Sequence, residues 1–240
     1  MPNQQSDSPR RFTFAERLGW TLLLVVVSAF GFLYIDAHNA ALNARHAQLA
    51  LETPLDALVP FVPAFMFAYL LYYPWVLLPL FVLHEREPFV RAILAFGLML
   101  VLAGTVFIVF PSHMVRPTVQ GSGLAADLTR MMFRLDMGWN VFPSLHVGHS
   151  SLVAMIFVRH GRKYALPVVL GSSLISLSTV MVKQHYVVDV PAGFLLAWLC
   201  FWASQQPVLF EPRYVGARSG WRARLLRARD EDLAQERTRR

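Results

Sequence analysis

The stretch Phe142-Pro143-Ser144-Leu145-His146-Val147-Gly148-His149-Ser150-Ser151 opens a run that otherwise reads as a membrane span. Two histidines and three serines stand where hydrocarbon-facing residues would be expected. Ionisable groups inside such a run are costly and face a cavity or one another. Three readings therefore compete for the histidines: packing residues hydrogen-bonded between helices, metal ligands, or part of an active site.

Outward from this stretch the chain keeps the same apolar texture. Of 240 residues, 55% are hydrophobic and 15% charged, a balance that fits a membrane protein and argues against an ordinary soluble domain. Six windows, near 18–36, 57–83, 92–110, 143–159, 164–182 and 186–204, are long enough to cross a hydrocarbon layer, which takes about 20 residues. The expected fold class is all-α, a polytopic membrane bundle of six spans. The first window is too long and continuous for a cleaved signal core and is read as a retained span. The second holds Pro60, Pro63, Pro74 and Pro79 and is expected to kink or tilt. A lone cysteine, Cys200, lies in the last window, where it reads as a small buried hydrophobe that can form no internal disulfide.

Lysine and arginine accumulate on the cytoplasmic side of spans. Counted by alternating segments, 17 of the 22 basic residues fall with the two termini and five, Arg45, Arg116, Arg130, Arg134 and Lys183, fall on the other side. Both termini are thus expected to be cytoplasmic. The organisation that follows is a disordered cytoplasmic N-terminus (1–17), a six-span membrane domain (18–206) and a basic cytoplasmic tail (207–240). The net charge of +7 is read as a topology signal or a contact with anionic membrane lipids, with no nucleic-acid partner. Among the outer segments, the loop near 37–56 carries Asp36, Glu52 and Asp56 without evident chemistry. The connection 111–142 carries an amphipathic helix over 124–135, with Leu124, Leu128, Met131, Met132 and Leu135 at helical spacing.

This topology brings three polar clusters to the outer face: His113 with Arg116; Ser144, His146 and His149; and Lys183, His185 and Asp189. His185 and Asp189 are four apart, so on a helix the carboxylate reaches one ring nitrogen and leaves the other free as nucleophile or base. The bland alternative is a structural His–Asp hydrogen bond. Pro143 suits the first turn of a helix, whose free N–H groups at Ser144, Leu145 and His146 would form an anion site. His146, one turn inside, could then protonate a departing oxygen, provided a bound anion holds its proton.

The zinc reading would use His146 and His149 as an H-x-x-H pair with His185 or Asp189; for His149 alone, packing is the simpler reading. Arg116-Pro117 offers a guanidinium for phosphate, or an interfacial anchor. His113 and Lys183 are secondary phosphate contacts or exposed loop residues. Together the set is an anion clamp, a nucleophile with its carboxylate and a proton donor, sufficient for phosphoryl transfer with no metal or cofactor required.

These residues resemble the type 2 phosphatidic acid phosphatase superfamily of integral membrane phosphoesterases and phosphotransferases. Pro143-Ser-Leu-His146 is similar to its second motif, Ser178-x6-His185-x3-Asp189 to its third, and Arg116-Pro117 to the end of its first. The resemblance implies that His185 attacks phosphorus, Asp189 orients it, His146 protonates the leaving group, Ser144 and nearby backbone hold phosphate oxygens, and Arg116 clamps the phosphoryl group. It also implies a lipid phosphoester substrate and, in transfer, a lipid alcohol acceptor; the topology read from the basic residues puts the site at the extracytoplasmic side of a plasma or bacterial inner membrane. Where the family usually has Lys, Arg and Gly, this chain has Val109, Thr179 and Leu145. Two cations are lost, which a diester tolerates better than a monoester dianion. The texture of FPSLH with KQHYVVD is closest to the inositol phosphorylceramide synthase and sphingomyelin synthase branch. The rival class is a transporter or channel subunit with a His/Asp proton relay, which would spread polar groups through the depth of several spans.

Overall fold

Proline placement decides where the apolar windows become long helices and where they break. A computed structural model describes residues 11–43 and 51–206. Residues 1–9 and the basic tail 207–240, with the expectations attached to them, lie outside the described residues. The main elements are α1 (Phe14–Asn43), α2 (Pro54–Leu58), α3 (Met66–Leu70), α4 (Tyr72–Trp75), α5 (Leu78–Val82), α6 (Arg86–Val109), α7 (Leu124–Leu135), α8 (Leu145–His160), α9 (Ala165–Met181) and α10 (Asp189–Ser204). Among the described residues there is no β-strand, only isolated bridges at Arg11–Glu85 and His113–Trp139. The all-helical class is therefore as expected.

Among the described residues three stretches are long and apolar enough to cross a bilayer, Phe14–Ala41, Arg86–Val109 and Arg162–Met181, as a membrane protein requires; Asp189–Ser204 is apolar but shorter. The 57–83 window is not one kinked helix. It divides into a 3-10 turn (Pro63–Phe65) and the short helices α3, α4 and α5. A proline supplies no N–H and its ring crowds the preceding turn, so Pro63, Pro74 and Pro79 cannot sit in one uninterrupted ladder. The open carbonyls at the end of α5 find a cation: Arg17 of α1 donates from Nη1 to Leu80 O (2.5 Å) and Leu83 O (3.2 Å).

Helices in lipid gain little from burying apolar surface against each other and rely on close packing of small residues. α8 sits at the centre, with Leu152, Val153, Ile156 and Phe157 in one cluster with Phe89, Ala92, Ala95 and Met99 of α6 and Ala197 and Cys200 of α10. Two glycines allow the approach. A Cβ on Gly193 would collide with the Ser144 carbonyl, and one on Gly148 would lie 3.0 Å from Met99 Sδ. Between α4 and α9 the Trp75 ring covers Gly171, and its Nε1 donates to Ser172 Oγ (2.9 Å), which donates to the Ser150 carbonyl of α8 (2.8 Å).

The helix expected over 124–135 is α7, with the same bounds. Its apolar stripe is divided: Met132 packs with Met66, Tyr69 and Val182, with Leu128 beside them, whereas Leu124, Met131 and Leu135 are exposed.

Candidate active site

The turn between α9 and α10 carries the first two groups. Residues 182–188 are not helical, so the His185–Asp189 pair does not arise from spacing along one helix. The Gln184 and His185 N–H groups both donate to the Thr179 carbonyl (2.9 and 3.1 Å), folding the turn back onto the end of α9. Lys183 takes the left-handed conformation this requires, at φ 54°. Asp189 then begins α10, where a carboxylate is favoured by the helix dipole. Its Oδ2 accepts from the Tyr186 N–H (2.9 Å) and lies 3.3 Å from His185 Nδ1.

His185 Nδ1 faces two acceptors, the Val141 carbonyl at 2.8 Å and Asp189 Oδ2 at 3.3 Å. That nitrogen therefore carries the ring proton, which leaves the lone pair on Nε2. His146 Nδ1 lies 3.2 Å from this Nε2. On the far side of the His146 ring, Nε2 lies 2.7 Å from the Tyr69 hydroxyl. One proton order satisfies the chain: Tyr69 donates to His146 Nε2, and His146 Nδ1–H donates to His185 Nε2. The close approach of α8 and α10 permits this, and the Ser144 N–H donates to the Asp189 carbonyl (3.3 Å) across it.

α8 begins at Leu145 rather than at Pro143. Ser144 is its N-cap, fully buried, and its hydroxyl accepts from the Val147 N–H at 3.3 Å. His149, buried one turn on, has Nδ1 2.7 Å from the Tyr72 hydroxyl and packs its ring against Phe96. Among the described residues no three His, Cys, Asp or Glu side chains converge as a set of metal ligands.

His146, His149, Gln184 and His185 line the polar end of a cavity of about 560 Å³. Away from these groups its wall is made by α1 and the α3–α6 segments, including Ser28, Ala29, Phe32 and Leu80. From Thr21 to Leu33 the α1 wall is about 18 Å long. Among the described residues lining this cavity none is Lys or Arg.

Arg116 stands behind the wall. It forms a salt bridge with Asp136 Oδ2 (3.1 Å), donates to the Asp136 and Phe133 carbonyls, and donates from Nη2 to Gln184 Oε1 (2.5 Å). Its guanidinium also lies over the Phe133 ring. Gly138, at φ 83°, leaves room for this side chain, since a Cβ there would lie 3.5 Å from Arg116 Cζ. His113 pairs with Trp139 through backbone and ring; burial, then the Arg116 charge, holds its imidazole below the ordinary value. Lys183 Nζ donates to the Asp56 and Val59 carbonyls (3.0 and 2.7 Å), which ties the turn to α2. Asp56 completes that tie: Oδ1 accepts from the Val187 N–H (2.7 Å), while Oδ2 accepts from Thr53 N–H and hydroxyl. At the positions where the resemblance expects Lys and Arg, Val109 is exposed on the end of α6 and Thr179 is buried.

Sequence reasoning brought His146, His185 and Asp189 together, and the structure brings them together. It passed over Tyr69, Tyr72, Asp136, Asn140 and Gln184, and gave Asp56 no role. The available signal for the tyrosines was their spacing of three in the 57–83 window, which puts polar tips on one side of an apolar run. Gln184 carried no signal beyond its place before His185.

Residues 37–203 match the family model of the PAP2 superfamily. Over 61 residues the chain is 38% identical to the lipid A 4'-phosphatase of Helicobacter pylori (strain J99), which covers 25% of this chain and 31% of that relative. The chain thus spans about a third of the length of that curated relative. No solved structure matches it.

Proposed function

The chain belongs to the PAP2 superfamily, and from that premise we propose that it is an integral membrane phosphoesterase or phosphotransferase acting on lipid phosphoesters. The observation that carries the reading is the meeting of His185 Nε2 and His146 Nδ1 in the wall of a cavity lined mostly by apolar residues. The name of the H. pylori relative, a phosphatase of a lipid, points the same way.

In this account His185 Nε2 attacks phosphorus, a P–N bond forms, and the bond to the leaving oxygen breaks. With the phosphoryl anion bound, His146 carries a proton on both ring nitrogens, its Nε2–H facing the Tyr69 oxygen; it gives its Nδ1 proton to the leaving oxygen and is left a neutral imidazole. Water or a lipid alcohol then attacks the phosphohistidine, returns a proton to His146 and releases His185. Hydrolysis and headgroup transfer differ only in that acceptor. Asp189 and the Val141 carbonyl hold the Nδ1–H tautomer of His185, so that the lone pair stays on the attacking nitrogen.

For Arg116, Ser144 and Lys183 we propose an indirect share in phosphate binding: Arg116 orients Gln184, Ser144 fixes the start of α8, and Lys183 anchors the turn before His185. The membrane arrangement we favour is six spans, counting the broken 63–82 segment as the second, with both termini cytoplasmic and the site on the extracytoplasmic side. The basis is the distribution of lysine and arginine along the chain.

The test is incubation of the purified protein in detergent with labelled phospholipids, with and without a lipid alcohol, beside His185→Ala and His146→Ala. Release of phosphate or of a new phospholipid by wild type and not by His185→Ala supports the reading. Wild type that matches His185→Ala on every lipid defeats it.

A further inference from the structure

Two carboxamides that line the cavity with His185 share one arrangement. Gln184 precedes His185 directly, is 2% exposed, and lines the cavity. Arg116 can only donate, so the Gln184 oxygen must face it, and the amide nitrogen is turned the other way. That nitrogen, Nε2, is buried and has no hydrogen-bond partner. Asn140 precedes Val141, whose carbonyl holds His185, and it too lines the cavity. Its oxygen accepts from Asn39 Nδ2 (2.6 Å), a nitrogen fixed as the donor because it also donates to the Phe107 carbonyl (2.8 Å). The Asn140 Nδ2 is likewise buried without a partner, and the residue has φ 58°.

A buried amide N–H left unmade costs about 1–3 kcal/mol. One such group is an irregularity. Two, on the residues that precede His185 and the Val141 that holds it, each with its oxygen already taken by a donor, leave a pair of donors beside one cavity. The charge around them is balanced: Arg116 is paired with Asp136, which itself lines the cavity, and Lys183 is committed to main-chain carbonyls. A doubly charged phosphate in this setting would meet no cation on the wall and one carboxylate. A singly charged phosphodiester asks only for neutral donors.

We propose that Gln184 and Asn140 donate to the non-bridging phosphoryl oxygens of a monoanionic phosphodiester as His185 attacks, and that this neutral pair makes the site favour diesters over monoesters. The proposal rests on the phosphoester reading above and sharpens its substrate class. Arg116 is then a positioning residue, acting through Gln184.

The test uses Gln184→Glu, Gln184→Met and Asn140→Asp in the full-length protein. Gln184→Glu keeps an oxygen for Arg116 but removes the donor and adds charge. Gln184→Met removes the donor and the Arg116 contact without charge, so a loss common to both is assigned to the donor. Binding is read first, as the thermal protection given by diethyl phosphate and by inorganic phosphate at pH 8. Turnover is read second, on a phospholipid diester and the corresponding phosphatidic acid.

Wild type is expected to be protected more by diethyl phosphate and to turn over the diester faster. Each variant is expected to lose that protection and to drop about 10²-fold in diester kcat/KM. If wild type binds diethyl phosphate, the variants do not, and no lipid is turned over, the donor pair stands and the phosphoesterase reading falls. Stronger protection of wild type by inorganic phosphate overturns the proposal. So does Gln184→Glu or Gln184→Met, melting as wild type, that keeps diester binding and turnover within about twofold.

Discussion

Nδ1 of His146 and Nε2 of His185, 39 positions apart in the chain, lie 3.2 Å from each other. The attacking nitrogen and the proton donor are therefore hydrogen-bonded to each other when no phosphate is between them. Bound phosphate must replace that bond, and Tyr69 on the far side of His146 decides which nitrogen keeps the proton when it does.

Tyr69→Phe removes the group that holds the Nδ1–H tautomer of His146 without touching His185. One hydrogen bond of about 1 kcal/mol corresponds to a drop of roughly fivefold in kcat. KM is expected to stay within about twofold and the thermal midpoint to stay near wild type. The check is steady-state kinetics across pH 5 to 9, where a change in KM alone would place Tyr69 in substrate binding instead.

Gly193→Val drives a branched side chain against the Ser144 carbonyl at the point where α8 and α10 cross. Overpacking of this kind costs about 1–3 kcal/mol. Because the same contact sets Ser144 against Asp189, activity should fall with stability. Thermal unfolding in detergent, read beside activity on the same sample, distinguishes this from an effect on chemistry alone.

Ala29→Trp fills the apolar arm of the cavity on α1, far from the histidines in sequence. Binding energy from remote parts of a substrate supports catalysis at the reacting centre. A blocked arm should thus lower kcat/KM about tenfold or more for a long-chain phospholipid and leave a short-chain water-soluble ester within about twofold. Equal losses on both would mean that the arm does not hold the chain.

Much of this site was legible before any coordinates, for particular reasons. His146, His185 and Asp189 could be placed together because ionisable groups at one end of apolar segments have few physical explanations. The all-helical class followed from window length, and α7 from its spacing of apolar residues around 124–135. The 57–83 window was legible as disturbed and not as four pieces, since proline marks where a ladder fails without saying how the chain resumes. The His185–Asp189 contact was expected from a helix and comes from a turn, where the Thr179 carbonyl gathers two N–H groups in a way no periodicity reveals. Tyr69 and Gln184 were invisible because their importance lies in long-range contacts: the hydrogen bonds to His146 and Arg116 cross 77 and 68 positions.

The most direct test of the central claim is to trap the covalent intermediate. Wild type, His146→Ala and His185→Ala would be mixed with a phospholipid labelled in its phosphoryl group, quenched in alkali within milliseconds to seconds, and the protein-bound label counted. The account predicts label on wild type and more on His146→Ala when its second step is the slower one, lost in acid and mapped to the peptide holding His185, with none on His185→Ala. Label retained by His185→Ala, or turnover by wild type with no labelled protein at any time, would contradict it.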